Sequence, residues 1–170
     1  MTRNVEIKAR IPSVAALLPL AQALADGPPQ AIAQDDTFFA CAHGRLKLRD
    51  FGDGRGELIA YQRPDTAGPK TSDYRRVPTD DPRGLREALT LALGSVGRVR
   101  KHRLLLLAGR TRMHLDSVEG LGEFLELEVV LAEGEAASVG VAEAQDLLHR
   151  LGVAPGDLIA GAYLDLLSPP

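Results

Sequence analysis

The stretch Asn4–Arg10, "NVEIKAR", decides the fold because polar and apolar residues alternate strictly along it. Asn4, Glu6, Lys8 and Arg10 stand at every second position, and aliphatic residues fill the positions between them. A period of two predicts a β-strand with one polar and one apolar face. What remains to be decided is whether the polar face contacts solvent or a ligand.

Length and composition limit the classes of protein to be considered. The 170 residues are 45% hydrophobic, so we expect residues 1–170 to form a single domain with a substantial core. A net charge of -3 argues against nucleic acid as a partner. The single cysteine, Cys41, excludes a disulfide framework and a Cys-rich zinc site, and it favours a reducing cytoplasm. We find no signal peptide and no apolar run near the ~20 residues of a membrane helix, so no membrane contact is expected.

Five later segments repeat the alternation of the opening stretch. They are "GRLKLR" at 44–49, "ELIAYQR" at 57–63, "VRKHRLLLL" at 99–107, "RTRMHLD" at 110–116 and "FLELEVV" at 124–130. Asp53 and Gly54 predict a hairpin between the first two of these. The Pro- and Gly-rich residues 61–78 are expected to form a connection.

Helices are predicted between the strands. The first covers 13–26, begins at the N-cap Ser13 and should be kinked or interrupted at Pro19. The second covers 81–94, with Asp81 as its cap, and the third covers 141–152. Residues 157–167 predict a short helix or a pair of turns.

The charges on the predicted strands are sorted by sign. Arg45, Lys47 and Arg49 share one strand face, whereas Glu126 and Glu128 share another about 7 Å apart. An antiparallel sheet with one solvated face would explain a charged face without any ligand. Sorted like charges instead favour a barrel whose interior binds a polyphosphate, with a divalent cation held by oxygen ligands. The residue pattern alone leaves both interpretations open.

Several motifs occur in an order that resembles a known family. "NVEIK", "QDDTFF", "GRLKLR", "VRKHR" and "TRMHLDSVEGLGEFLELE" resemble the CYTH superfamily, the triphosphate tunnel metalloenzymes, whose N-terminal signature is Glu-x-Glu-x-Lys. The middle segments and the closing "AYLDLL" are most similar to the bacterial class IV adenylyl cyclases. The resemblance implies an α+β fold, in which helices surround a closed eight-stranded antiparallel β-barrel, a tunnel with a charged interior. A homodimer is expected at the level of the family.

The resemblance also implies roles for single residues. Glu6 and Lys8 match catalytic residues of the signature. The triphosphate, free or part of a nucleotide, would be bound by Lys8, Arg45, Lys47, Arg63, Lys101, Arg103 and Arg112. Mg²⁺ or Mn²⁺ would be bound by Glu6, Asp116, Glu126 and Glu128. His114 lies on the same predicted face, and we expect it to hydrogen-bond in the wall rather than to bind metal.

Two departures from the family pattern keep the function open. Asn4 replaces the first signature glutamate and removes a negative charge from the metal site, and Phe38 and Phe39 stand where hydrolytic members often have tyrosine. Three functions therefore compete. The protein converts ATP to cyclic AMP and pyrophosphate, or it hydrolyses an inorganic or organic triphosphate, or it binds a nucleotide or polyphosphate without turnover.

Overall fold

The computed structural model of the protein describes residues 2–167, which form a closed barrel of eight antiparallel strands. The strands are β1 (Thr2–Arg10), β2 (Gln30–Phe39), β3 (Arg45–Asp50), β4 (Gly56–Gln62), β5 (Lys70–Thr79), β6 (Ser95–Ala108), β7 (Thr111–Val118) and β8 (Gly122–Val130). Their order around the barrel is β1-β5-β4-β3-β2-β6-β7-β8, and β8 pairs with β1 to close it. The predicted fold class is confirmed.

The alternating segments of the sequence correspond to six of these strands, and two strands were missed. The prediction of a connection over residues 61–78 was wrong for its second half, because β5 pairs with β1 on one side and with β4 on the other. Neighbouring positions such as Thr71, Ser72 and Asp73 are all polar, so β5 shows no apolar alternation. Residues 70–79 form a strand because they pair with β1 and β4 in the closed barrel. The periodicity of the sequence does not predict this pairing.

Four helices lie outside the barrel. They are α1 (Val14–Leu24), α2 (Pro82–Leu93), α3 (Ala137–Arg150) and α4 (Tyr163–Leu167), and a 3₁₀ turn spans Pro155–Asp157. Both predicted caps are confirmed, since Ser13 Oγ accepts a hydrogen bond from the Ala16 amide and Asp81 Oδ1 accepts one from the Gly84 amide. Among the described residues, no helix is long and apolar enough to cross a membrane.

The structure refines two helix predictions. Helix α1 was expected to be kinked or interrupted at Pro19, and it is not interrupted there. Pro19 and the residue four positions before it are exposed, so solvent can hydrate the carbonyl oxygen that loses its amide partner. Helix α3 begins at Ala137, four residues before the predicted start at 141.

The main apolar core lies between the outer face of the barrel and the helices. Val5, Ile7, Leu125 and Leu127 point outward from β1 and β8 and are almost completely buried, together with apolar residues of α1 and α3. Gly140 lets α3 approach closely, because a Cβ atom there would lie 2.8 Å from Val5 Cγ2. The alternation of β1 thus buries its apolar face outside the barrel and leaves its polar face for the interior.

A second apolar cluster closes one end of the barrel. Inward-facing Phe38, Val99, Val118 and Phe124 pack against Tyr163 of α4, and all five side chains are buried. We call this end, sealed by α4, the covered end. At the opposite end, which we call the open end, inner residues such as Glu57 and Arg76 reach solvent.

The outer core predicts a clear difference between two leucine truncations. Leu127→Ala should lower the free energy of unfolding by about 2–5 kcal/mol, because Leu127 is completely buried and truncation leaves a cavity. Leu91→Ala is the matched control, since Leu91 is 91% exposed, and it should change the value by less than about 0.5 kcal/mol. Urea denaturation of both variants measures the difference, and similar losses would contradict this account of the core.

Candidate functional site

The barrel interior contains a cavity of about 210 Å³ lined by inward residues of all eight strands. The predicted site residues that line it are Glu6, Lys8, Lys47, Arg63, Lys101, Arg103, Arg112, Glu126 and Glu128. Asn4 and His114 also line it. The charged face predicted from the sequence therefore does point inward, and residues far apart in the chain meet around one space.

Arg45 and Asp116 occupy other positions. Arg45 lies at the covered end, where its guanidinium donates to Asp165 of α4 at 3.1 and 2.8 Å and to Asp65 at 3.1 Å. Asp116 is fully buried and accepts two hydrogen bonds of 2.7 Å from Arg103. Its Oδ2 also accepts a 2.8 Å hydrogen bond from the Tyr163 hydroxyl. Both residues thus connect the barrel wall to the covered end.

Carboxylates and one imidazole gather on the wall formed by β1, β8 and β7. Ligand atoms of His114, Glu126 and Glu128 all lie within 4.8 Å of one another. Strand register places Glu6 opposite Glu128, and Glu6 Oε2 accepts a 2.9 Å hydrogen bond from Arg63. We call Glu6, His114, Glu126 and Glu128 the acidic group. His114, expected to be a residue of the wall, stands among the potential metal ligands.

The two glutamates of β8 in the acidic group differ in their electrostatics. Burial, together with the charges of Glu6 and Glu126, raises the pKa of Glu128 to about 7. Burial also disfavours the charged form of Glu126, but Lys8 and Arg103 outweigh it and hold the Glu126 pKa well below its usual range. Burial and nearby Arg103 lower the pKa of His114, so its imidazole is neutral, the form that binds metals.

Two buried polar atoms that lack hydrogen-bond partners indicate that these residues fit a cation. Asn4 Oδ1 and His114 Nδ1 are buried, and neither has a hydrogen-bond partner among residues 2–167. Buried acceptors are normally satisfied, and the family resemblance implies a divalent metal here. Carboxylate and amide oxygens are ligands that Mg²⁺ and Mn²⁺ prefer, and imidazole can join them.

A group of cations surrounds a carboxylate that the sequence reasoning missed. Asp36 accepts two 2.8 Å hydrogen bonds from Arg49, and its Oδ2 lies 3.1 Å from Lys47 Nζ and 3.5 Å from Lys101 Nζ. We call Lys47, Arg49 and Lys101 the basic group. Three cations around one carboxylate leave an excess of positive charge. Burial and the neighbouring Arg49 lower the pKa of Lys47 to about 8. A bound anion would raise this pKa again, because it would stabilise the charged form of the lysine.

A signal for Asp36 was present in the sequence. In "QDDTFF" the period of two places Gln34, Asp36 and Phe38 on one face, and all three line the cavity. Strand β2 escaped notice because its outward positions are not consistently apolar. Arg49 was recognised on the charged face of β3, but it was not assigned to the site.

Lysines and carboxylates are ordered along the cavity. Lys8 Nζ lies 3.9 Å from the centroid of the Tyr163 ring, and Lys101 Nζ lies 5.2 Å from it, so both ammonium groups are near the covered end. On β1, Glu6 is one inward position farther from α4 than Lys8. On β8, Phe124 contacts Tyr163, and Glu126 and Glu128 follow toward the open end. The acidic group therefore extends from these lysines toward the open end.

Comparison with known families decides the family membership. The model of the CYTH domain matches residues 2–163.

The chain belongs to the CYTH family.

Solved structures agree with this CYTH fold. The PH1012 protein from Pyrococcus horikoshii superposes with a TM-score of 0.85 at 21% identity, covering 96% of this chain and 98% of that chain. A candidate adenylate cyclase from Vibrio parahaemolyticus gives 0.79 at 15% identity and covers 98% of both chains. HpAC1 from Hippeastrum, a candidate adenylyl cyclase with a dominant triphosphatase activity, gives 0.67 at 16% identity, covering 98% and 94%. No curated protein matches the sequence.

Removing the charge of Asp36 should destabilise the CYTH barrel in a pH-dependent way. The basic group outweighs burial and holds the Asp36 pKa well below its usual value, so its stabilising effect is present at neutral pH. That effect should fade as the pH falls below about 4 and through the depressed pKa. Asp36→Asn should therefore lose about 3–5 kcal/mol at pH 7 and less in acid.

Urea denaturation at several pH values tests this expectation. Asp53→Asn serves as the control, because Asp53 forms an exposed ion pair with Arg55 in a turn and its loss should not measurably change stability. An Asp36→Asn variant as stable as the unmodified protein at pH 7 would contradict the counter-ion role.

Proposed function

We propose that this CYTH protein is a divalent-metal-dependent enzyme that converts ATP to cyclic AMP and pyrophosphate. One observation supports this most directly: the cavity combines lysines near a covered end with carboxylates extending toward the open end. A triphosphate entering from the open end would insert its terminal phosphate first. The acidic group would then lie beside the phosphates nearer the nucleoside, including the α-phosphate at which cyclisation occurs.

The basic side chains would bind and orient the triphosphate. Lys8, Lys47, Arg49 and Lys101 would neutralise its terminal and middle phosphates, and Arg103 would add a donor fork held in place by Asp116. The predicted phosphate ligands Arg63 and Arg112 form ion pairs with Glu6 and Glu128, respectively. They would contact the phosphate that lies nearest to the acidic group. Most of the catalytic effect in phosphoryl chemistry comes from such positioning and charge neutralisation.

The acidic group would hold Mg²⁺ or Mn²⁺. Glu6, Glu126 and Glu128 would supply carboxylate oxygens, and His114 Nδ1 and Asn4 Oδ1 would satisfy their missing contacts by joining them. When bound, the cation lowers the pKa of the attacking hydroxyl and neutralises phosphate charge.

Within this arrangement the protein residues have defined tasks. The ribose 3′-oxygen would form a bond to the α-phosphorus in line, and the hydroxyl proton would pass to water. The bond between the α-phosphorus and the oxygen that bridges to the β-phosphorus would break, and pyrophosphate would leave. Lys8 would stabilise the negative charge that grows on the leaving pyrophosphate. We assign Arg45 a positioning role at the covered end, because both of its amino groups are engaged by aspartates. Asp116, predicted as a metal ligand, would orient Arg103.

Hydrolysis of a triphosphate is the second proposal. The Hippeastrum relative HpAC1 shows a dominant triphosphatase activity, so the same type of barrel supports hydrolysis. Water would then attack the terminal phosphorus in place of the ribose hydroxyl, and the same basic residues would hold the substrate. A homodimer and a cytoplasmic location stay predictions.

Product analysis distinguishes the reactions. The purified protein should release cyclic AMP and pyrophosphate from ATP with Mg²⁺ or Mn²⁺, and Glu126→Gln should reduce this rate at least about tenfold, because a cation ligand is lost. Val77→Ala, an exposed change on the outer face of β5, is the control and should keep full activity. Orthophosphate from both ATP and tripolyphosphate would support hydrolysis instead, and tight binding without any product would leave a binding protein.

Asn4 provides a test of the cation site. Asn4→Glu restores the signature carboxylate beside Glu6 and should tighten Mn²⁺ binding by about tenfold or more, because it adds a negative charge next to the acidic group. Asn4→Gln is the matched control of similar size without charge. Isothermal titration with Mn²⁺ measures the change directly. Equal affinities for both variants would show that charge at position 4 does not limit metal binding.

A further inference from the structure

An apolar patch lies on the inner wall toward the open end of an otherwise charged cavity. Ile32, Phe51 and Leu105 all line the cavity and are partly exposed, and we call them the apolar patch. Strand pairing brings them together. Ile32 is opposite Arg103 and Gln30 is opposite Leu105, so Ile32 and Leu105 are diagonal neighbours on the inner face.

Phe51 reaches the same region from β3. Asp50, the last residue of β3, pairs with Asp35 of β2. Phe51 comes next in the chain, so the continued antiparallel register places it beside Gln34. On each contributing strand the patch lies beyond the charged residues as seen from α4. Along β6 the inward residues run from Val99 through Lys101 and Arg103 to Leu105. The patch is therefore farther toward the open end than the basic group.

Packing needs alone do not explain these three side chains. The inward apolar residues Phe38, Val99, Val118 and Phe124 at the covered end are at least nine-tenths buried, whereas each member of the patch lines the cavity and is only partly buried. Apolar surface exposed inside a cavity favours a ligand that can cover it.

Gln34 supplies a second, independent sign of a ligand. Its side chain is 6% exposed and lines the cavity, yet its Oε1 has no hydrogen-bond partner in the described part of the chain. A buried carboxamide offers both an acceptor and donors. It therefore matches the edge of a heterocyclic ring, which also presents both kinds of group, and such a ring could lie against the neighbouring Phe51.

The cavity is small for a whole nucleotide. Its volume of about 210 Å³ is below the roughly 300–1,000 Å³ of pockets that enclose a drug-sized ligand. A nucleotide whose phosphates lay among the basic side chains would therefore place its nucleoside at the end of the cavity that the apolar patch lines.

We propose that Ile32, Phe51, Leu105 and Gln34 form a subsite for the aromatic base of a nucleoside triphosphate. This inference rests on the proposed function, because the basic residues must hold the phosphates for the base to reach the patch. The base stacks on the Phe51 ring and covers the two aliphatic side chains, while Gln34 hydrogen-bonds to its edge. Stacking on an aromatic side chain typically changes affinity by about 5- to 150-fold.

Binding of two ligands that differ only in the nucleoside tests the subsite. Isothermal titration of the full chain with ATP and with tripolyphosphate in EDTA, which withholds the metal and prevents turnover, gives both dissociation constants. Phe51→Ala should weaken ATP binding about tenfold and change tripolyphosphate binding less than twofold. Phe51→Leu should give an intermediate loss, because it keeps apolar surface without the ring.

Two further variants make the outcome decisive. Leu105→Ala should repeat the selective loss for ATP in a second part of the patch, and Val77→Ala on the outer face of the barrel should change neither constant. Equal weakening of both ligands, or no change in either, would overturn the subsite but not the proposed binding of phosphates by the basic residues. If the unmodified protein binds neither ligand in EDTA, the same titrations are repeated with Mn²⁺ present, and absence of binding in both conditions would overturn the subsite and the proposed function together.

Discussion

Neutralisation of charge inside a closed barrel is the constraint on which this structure depends. A buried charge without a partner is costly, and this interior contains many. Most are paired across the cavity: Asp36 with Lys47, Arg49 and Lys101; Asp116 with Arg103; Glu6 with Arg63; and Glu128 with Arg112. The apolar core can lie outside the barrel, beneath the helices, only because these pairs make a polar interior tolerable.

The pairing is incomplete in a way that points to ligands. Around Asp36 the positive charges are in excess, and around Glu128 the negative charges are in excess. These two imbalances lie in one cavity, so an anion and a cation bound together would correct both. A metal–triphosphate complex carries charge of both signs, so these two imbalances are the electrostatic support for the proposed function.

Local alternation allowed much of the fold and site to be predicted. It identified six strands, and it placed Glu6, Lys8, Lys101 and Glu126 on faces that do point inward. It missed β5, whose two faces are both polar, and it missed β2 with Asp36, because the outward positions of β2 are not consistently apolar. The hydrogen bond from Tyr163 to Asp116 joins residues that are 47 positions apart in the sequence. It depends on how α4 docks on the barrel, so no local sequence pattern predicts it.

Helix α4 is short, but it changes how the interior can be used. Tyr163 packs on Phe124 and hydrogen-bonds to Asp116, while Asp165 binds Arg45, so α4 is attached to the barrel at several points. With α4 docked over the covered end, exchange would take place through the open end, and the group that enters first would then leave last. In ATP cyclisation, pyrophosphate would lie behind cyclic AMP. Cyclic AMP would leave first and pyrophosphate second. Because release of pyrophosphate regenerates the free enzyme, which is the form that binds ATP, pyrophosphate would inhibit competitively with respect to ATP.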